Sequence, residues 1–376
     1  MVEDDYETIR LVINNILGPI VAILGIIGNI SCLLAIWHRN RHTNKDQQGM
    51  KGYMYTLLCG LAVADLGYLA FTLQDLYFTS ASEIQCDNLY YRDQILIPIC
   101  NSFKAASDFI VIFMTVNRYR VMGNITGLRI SQLRKDASNE KASWNACFQI
   151  LAAFFASFVL HLPFYFFNFL DEYSDCTNGN ETNTVRAPTP NQASDEYDQQ
   201  MWLIYYILCV TLVKALPIIL IVTLNIVLMK RLRVMASRRK RVHSERSINQ
   251  NAYENRRAWS VHNKTSVKEQ QLAILLVIIA VSYFFFTLPG NITFVLFNLP
   301  ISIESIDALH DPLNFIANFL ESVNYAANFY IYCAVHSEIR ESFLDLCKAL
   351  GHFLTCGKFK CKVNESNNST DTILRF

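Results

Sequence analysis

The sequence predicts an all-α membrane protein: a seven-transmembrane helix bundle followed by an amphipathic eighth helix. Three observations predict it. The chain has 376 residues of which 52% are apolar and only 17% charged, against about 25% charged in ordinary soluble domains. The apolar residues are not spread evenly but fall into seven long blocks. A spanning helix needs about 20 mostly apolar residues, since each residue rises about 1.5 Å through a hydrocarbon core of roughly 30 Å. Finally, the segments between the blocks alternate in charge. The composition excludes a disordered or collagen-like chain. A large soluble helical protein is the competing reading, and seven blocks of this length are hard to bury in one soluble core.

The predicted spans are Leu11–Trp37, Tyr53–Thr79, Ile95–Met122, Trp144–Leu170, Met201–Met229, Gln271–Leu299 and Pro312–Val335. They are punctuated by Pro19, Pro98, Pro163, Pro217 and Pro289, which membrane helices tolerate better than soluble ones. Residues 1–10 form the N-terminus and 11–335 the bundle. Residues 336–350 form the surface helix, because Ile339, Phe343, Leu346, Cys347 and Leu350 recur at helical spacing between charged residues, a pattern that lies on a membrane surface. Residues 351–376 are a flexible tail.

Charge sets the orientation. The segments Met1–Arg10, Ser80–Asp93, Asp171–Gln200 and Asn298–Asp311 together hold 17 acids and 3 bases. The segments His38–Gly52, Arg118–Ser143 and Lys230–Lys268 hold 22 bases and 5 acids. Basic loops stay in the cytoplasm, so the N-terminus is expected outside, the C-terminus inside, and the protein at the plasma membrane. With no cleavable leader ahead of it, the first span would act as the targeting signal. The basic run Arg238-Arg239-Lys240-Arg241 lies between two spans, so it reads as a surface for anionic lipid and effectors and not for nucleic acid.

Of the 11 cysteines, most lie in spans or the tail and read as small apolar packers. Cys86 and Cys176 are the two in outer loops, an oxidising setting, and are expected to pair; two free loop thiols is the alternative. Asn180, in Asn180-Glu181-Thr182, is the outward-facing sequon and the expected glycan site. Cys347 is a palmitoylation candidate.

The polar marks come in a telling order. Span one carries Gly28-Asn29, span two Leu61-Ala62-Val63-Ala64-Asp65-Leu66, and span three ends in Asn117-Arg118-Tyr119. Span five carries Pro217, span six Phe286-Thr287-Leu288-Pro289, and span seven ends in Asn328-Phe329-Tyr330-Ile331-Tyr332. In this order the chain resembles the rhodopsin-like (class A) G-protein-coupled receptors from about residue 10 to residue 350. The span-seven ending, with the start of span three, is similar to that of invertebrate FMRFamide-type neuropeptide receptors. Asn117 stands where the family has Asp, Thr287 where it has Trp, and Asp93 where it has the usual span-three Cys.

The resemblance implies a receptor without enzymatic activity that passes a signal to a heterotrimeric G protein, with arrestin-like desensitisers and receptor kinases as further partners. It implies a sodium-linked site at Asp65, Ser107, Asn324 and Asn328, near Asn29; the alternative is a hydrogen-bonded Asp65 with structural water. It also implies a switch at Asn117, Arg118, Tyr119 and Tyr332; the alternative is that Arg118 snorkels to the headgroups at the inner edge. Asp108 has no role in this reading.

Within the outer half of the bundle, Asp75, Lys104, Lys214 and Glu321 are ionisable residues at span depth, and such residues are functional by default. With Phe103, Thr287 and Phe294 they form the expected ligand site; Lys104 and Glu321 simply neutralising each other is the alternative. The outer acids Asp171, Glu172, Asp175, Glu304, Asp307 and Asp311 suit a basic ligand such as a short amidated peptide carrying Arg. Two competing functions are a chemosensory receptor for a small molecule and a transporter. The absence of an internal repeat argues against the transporter. The position of the opsins' retinal-linking lysine holds Ser322, which disfavours an opsin.

The orientation has a direct check. An epitope tag before Met1 is expected to stain on intact cells, and one after Phe376 only after permeabilisation; the reverse pattern overturns the assignment.

Overall fold

In a computed structural model of the chain, residues 8–42, 49–80, 91–125, 139–163, 171–178, 181–187, 200, 204–205, 207–248, 271, 274–293 and 304–356 are described. Eight helices run through them. They are α1 (Gly18–His42), α2 (Gly49–Ser80), α3 (Ile97–Ile125), α4 (Asn139–His161) and α5 (Leu216–Ile248). The remaining three are α6 (Ile274–Thr293), α7 (Glu304–Val335) and α8 (Ser337–Cys356). Three of them are entered through π-helical turns: Ile13–Leu17 before α1, Arg92–Leu96 before α3 and Val210–Ala215 before α5. "Outer" and "inner" below follow the acidic and basic ends of the bundle.

The first six helices are each long and apolar enough to cross a membrane by length and composition. Helix α7 is not in that set, although it runs for 32 residues. Its polar residues Glu321, Asn324 and Asn328 are buried, so they face other helices and not lipid. Lipid cannot hydrate a polar group, and a polar stripe is tolerated only where protein covers it.

Several boundaries differ from the expected ones. Helix α4 ends at His161 and not at Leu170; Leu162 closes it with a short turn to the Val159 carbonyl (3.3 Å), because Pro163 disfavours helical geometry at the residue before it. Residues 164–170 lie outside the described set. Helix α5 continues through the Arg238–Arg241 run to Ile248. Helix α7 starts eight residues before Pro312 and runs past it. Helix α8 reaches Cys356.

The stretch after α4 carries structure that periodicity alone did not suggest. Strand β1 (Asp171–Asn178) pairs antiparallel with β2 (Glu181–Ala187), from Asp171 opposite Ala187 to Asn178 opposite Glu181. Gly179-Asn180 joins them, and a two-residue Gly-Asn step between Thr- and Tyr-containing runs is a hairpin signal. Cys176 stands opposite Asn183 in the ladder. Cys86, Asn180 and Phe294 lie outside the described residues.

Helices in lipid gain little from apolar burial and associate through close packing, which small residues permit. Gly25 of α1 meets Ala326 of α7, where an added Cβ would come within 2.8 Å of the Ala326 Cα. Gly67 of α2 receives the Phe103 ring of α3, which would lie 2.3 Å from an added Cβ. The core fills the inner half with Leu57, Leu58, Leu61, Ile110, Met114 and Leu275. Helix α4 turns Trp144, Phe148, Leu151 and Phe155 outward, as expected of a face that meets acyl chains.

Gly67→Ala is expected to lower thermal stability by about 2 kcal/mol through overpacking. Phe103→Leu in the same chain should recover part of that loss. Additive losses in a detergent melting assay would mean that the two residues do not share the contact.

Candidate functional site

Three helices turn one polar stripe each toward the same axis. On α7 the stripe is Glu321, Tyr325, Asn328 and Tyr332, spaced four, three and four residues apart. On α3 it is Lys104, Ser107, Asp108 and Arg118, and on α6 Tyr283, Thr287 and Asn291. This is the 3.6-residue period of one helix face, and every one of these residues is buried.

At the outer level Lys104 Nζ pairs with Glu321 Oε2, and the two residues are only 6% and 2% exposed. The structure thus brings two of the expected ligand residues into direct contact with each other. Lys214, set in the π turn before α5, lies within electrostatic reach of both and of Asp108. The formal charges of these four groups cancel. A buried ion pair is weak evidence of stability, but removing one partner strands a charge and costs roughly 3–5 kcal/mol.

Asp108 lies one turn below Lys104, about 6 Å along the axis. Its carboxylate accepts hydrogen bonds from the Tyr283 hydroxyl of α6 (3.1 Å) and the Tyr325 hydroxyl of α7 (3.5 Å). It therefore joins three helices in the middle of the bundle. Tyr325 also packs against Tyr68 of α2, with ring centroids 4.3 Å apart.

Asp65 of α2 is fully buried. Ser107 Oγ donates to its Oδ1 (2.7 Å) and Asn328 Nδ2 to its Oδ2 (2.6 Å). Asn324 is buried one turn away and makes no bond to this carboxylate among the described residues. Asn29 donates to the carbonyls of Gly25 (3.0 Å) and Tyr325 (3.2 Å), tying α1 to α7. A sodium ion needs several oxygen lone pairs. Each Asp65 oxygen accepts one of the protons donated by Ser107 and Asn328 and keeps a second lone pair.

At the inner end Arg118 is 3% exposed and faces into the bundle. Asn117 Nδ2 donates to the Met54 sulfur at 3.6 Å, a contact to α2. Arg231 of α5 lies over the Tyr119 ring (3.8 Å to its centroid) and donates to the Tyr119 carbonyl (2.9 Å). Tyr332 is fully buried, and its hydroxyl has no partner among the described residues. Nearby, Arg39 of α1 donates to the Tyr55 hydroxyl (2.5 Å) and pairs with Glu338 of α8 (2.5 Å), and Tyr55 donates to Glu338 at 2.8 Å. His336, the one residue between α7 and α8, meets the Tyr55 ring edge-on.

Residues 50–349 match the model of the serpentine type 7TM GPCR chemoreceptor Srw family. The chain belongs to this family. It is a multi-pass membrane receptor of the G-protein-coupled kind, with a ligand and a G protein as its partners. No curated protein sequence matches it.

Not all residues expected at the receptor's ligand site are gathered there. Phe103 points the other way: it stacks on Phe71 and meets Phe154 and Phe158 edge-on, in the seam of α2 and α4. Its neighbour Lys104 is turned about 100° from it. Asp75 pairs with Arg92 (2.5 Å) and ties the outer end of α2 to the π turn before α3. Thr287 is fully buried and close to the cluster in sequence register. Cys347 is exposed on α8. Sequence reasoning missed Tyr283, Tyr325 and Asn291. The available signal was their spacing of four from Thr287, Glu321 and Thr287 respectively.

Glu321→Gln is expected to reduce the receptor's thermal stability by roughly 3 kcal/mol, by leaving Lys104 buried without its counter-charge. The double exchange Lys104→Glu with Glu321→Lys should restore most of the loss. If the exchange melts no higher than the single variant, the pair is not what holds these helices.

Proposed function

We propose that this receptor sits in the plasma membrane with its N-terminus outside and binds a short amidated peptide carrying a basic residue. Binding biases the bundle toward a state that promotes nucleotide exchange on a heterotrimeric G protein. The observation that supports this most is the continuous buried polar stripe. It runs from Lys104 and Glu321 through Asp108 and Asp65 to Arg118, about 21 Å along α3. A ligand that alters the outer pair alters the partners of Asp108, and through Tyr283 and Tyr325 the seating of α6 and α7. Only such a difference in interaction between two states lets a ligand shift their populations.

The likeness of the span-seven ending to FMRFamide-type receptors supports a peptide, as does the acidic outer segment. Backbone positions of Asp171, Glu172 and Asp175 fall in β1 and those of Glu304, Asp307 and Asp311 in the first turns of α7. A second reading, a small-molecule chemoreceptor, draws on the description of the matching family. Both readings use the same outer cluster and differ in ligand size. Asp65 acts here as a hydrogen-bonded hub between α2, α3 and α7, and sodium takes no step in this scheme. On the inner side, Arg118, Tyr119 and Tyr332 meet the G protein. Tail serines and threonines serve receptor kinases and an arrestin-like partner. Helix α8, with Cys347 as a palmitoylation site, rests on membrane lipid.

Cells expressing the full chain, challenged with a panel of amidated peptides and read for calcium and cyclic nucleotide together, test the reading. A basic amidated peptide is expected to signal, and Arg118→Ala to reduce that signal at least about a hundredfold at equal surface expression. Response only to small volatile or water-soluble odorants would favour the second reading. Uptake of label with no G-protein response would remove both.

A further inference from the structure

Thr287 and Asn291 lie four residues apart on α6 and are 0% and 5% exposed. The Thr287 hydroxyl and both ends of the Asn291 amide have no hydrogen-bond partner among the described residues. Gly290, next to Asn291, faces α7: a Cβ placed there would lie 2.4 Å from Glu321 Oε1. That oxygen too has no partner among the described residues, while Oε2 of the same carboxylate is held by Lys104. Successive helical residues are turned by about 100°, so positions 287, 290 and 291 fall within roughly 100° of arc. Four buried polar atoms therefore share one short stretch where α6 meets α7.

Buried polar groups in native proteins are almost always satisfied. Nothing among the described residues satisfies these, which leaves the place to water or to an entering ligand. The unpaired set consists of a carboxylate oxygen, which accepts, a hydroxyl, which does either, and an amide, which both donates and accepts. Either orientation of the Asn291 amide offers the same pair. A carboxylate entering here would set its lone pairs against those of Glu321 Oε1 and the Asn291 carbonyl. An ammonium or guanidinium only donates and would leave the Asn291 NH2 without an acceptor. The formal charges of Lys104, Lys214, Asp108 and Glu321 already cancel, so the site calls for no net charge. A primary carboxamide carries two donors and one acceptor in one plane.

We propose that Thr287, Asn291 and Glu321 form a subsite for a primary carboxamide. Its NH2 donates to Glu321 Oε1 and to the Asn291 carbonyl, and its oxygen accepts from the Asn291 NH2, with the Thr287 hydroxyl completing whichever valence remains. This rests on the ligand entering among α3, α6 and α7 as in the reading above. It adds which chemical group of the ligand reaches α6.

The full chain purified in detergent is titrated with three probes, phenylalaninamide, phenylalanine N,N-dimethylamide and phenylalanine, with the melting temperature as readout. Phenylalaninamide should bind at least about tenfold more tightly than either comparator, the discrimination of one hydrogen bond. Asn291→Leu should erase the difference and Asn291→Gln keep part of it; Thr287→Val, nearly isosteric, should weaken it. Equal binding of the three probes, or a preference untouched by Asn291→Leu, overturns the subsite. The peptide reading fails separately. A peptide that signals equally as amide and as free acid sinks the subsite alone, whereas phenylalaninamide bound through Asn291 with no peptide signalling sinks the peptide reading alone.

Discussion

Hydrocarbon offers no hydrogen-bond partner, and the rest of this structure follows from that single constraint. Every ionisable or amide side chain at span depth must find protein or water, or else meet lipid at a cost of several kcal/mol. The chain answers by placing these groups on one face of each of α2, α3, α6 and α7 and turning those faces together. Asp65, Lys104, Asp108, Arg118 and Glu321 are all at most 6% exposed. The lipid-facing sides of α4 and α5 carry Trp144, Phe148, Phe155, Ile219 and Ile226 instead. A helix whose inner face is polar, such as α7, thus belongs to the bundle even though its composition alone does not mark it as a span.

The same constraint makes the buried groups interdependent. Glu321 is neutralised by Lys104, Asp108 is shared between two tyrosines on different helices, and each oxygen of Asp65 accepts a hydrogen bond. Breaking one of these bonds costs a buried polar group a partner, which couples the seating of the helices that share them. Packed interiors respond to such changes by switching between discrete arrangements and not by yielding gradually. The Asp108 centre is notable because it lies between the outer charges and Asp65, and because it ties both α6 and α7 to α3. Its two tyrosine partners sit on the two helices that face the outer charges.

At the inner end the held parts are equally specific. Helix α8 is anchored to α1 and α2 by the Arg39, Tyr55 and Glu338 network and to α7 by Phe343 against Phe329. Helix α5 is anchored to α3 by Arg231 on Tyr119. Asn117 binds Met54, so the neighbour of Arg118 fastens α3 to α2 and offers Arg118 no carboxylate. Arg118 itself is seated inward, at 3% exposure.

The sequence by itself determined the number, order and approximate length of the helices, because span length and apolar composition are local properties of the chain. It marked Asp65, Lys104, Arg118 and Glu321 by the same logic, since a charge within an apolar block is visible without any fold. What it left open was pairing. Whether Lys104 awaited a ligand or met Glu321, whether Phe103 faced the pocket or α4, and what Asp108 was for all depend on helix rotation and neighbours. The hairpin of β1 and β2, the π turns, and the true ends of α4 and α7 were likewise not written in apolar periodicity. Tertiary structure alone decided these, because two side chains 217 residues apart, as Lys104 and Glu321 are, acquire a distance only when their helices pack.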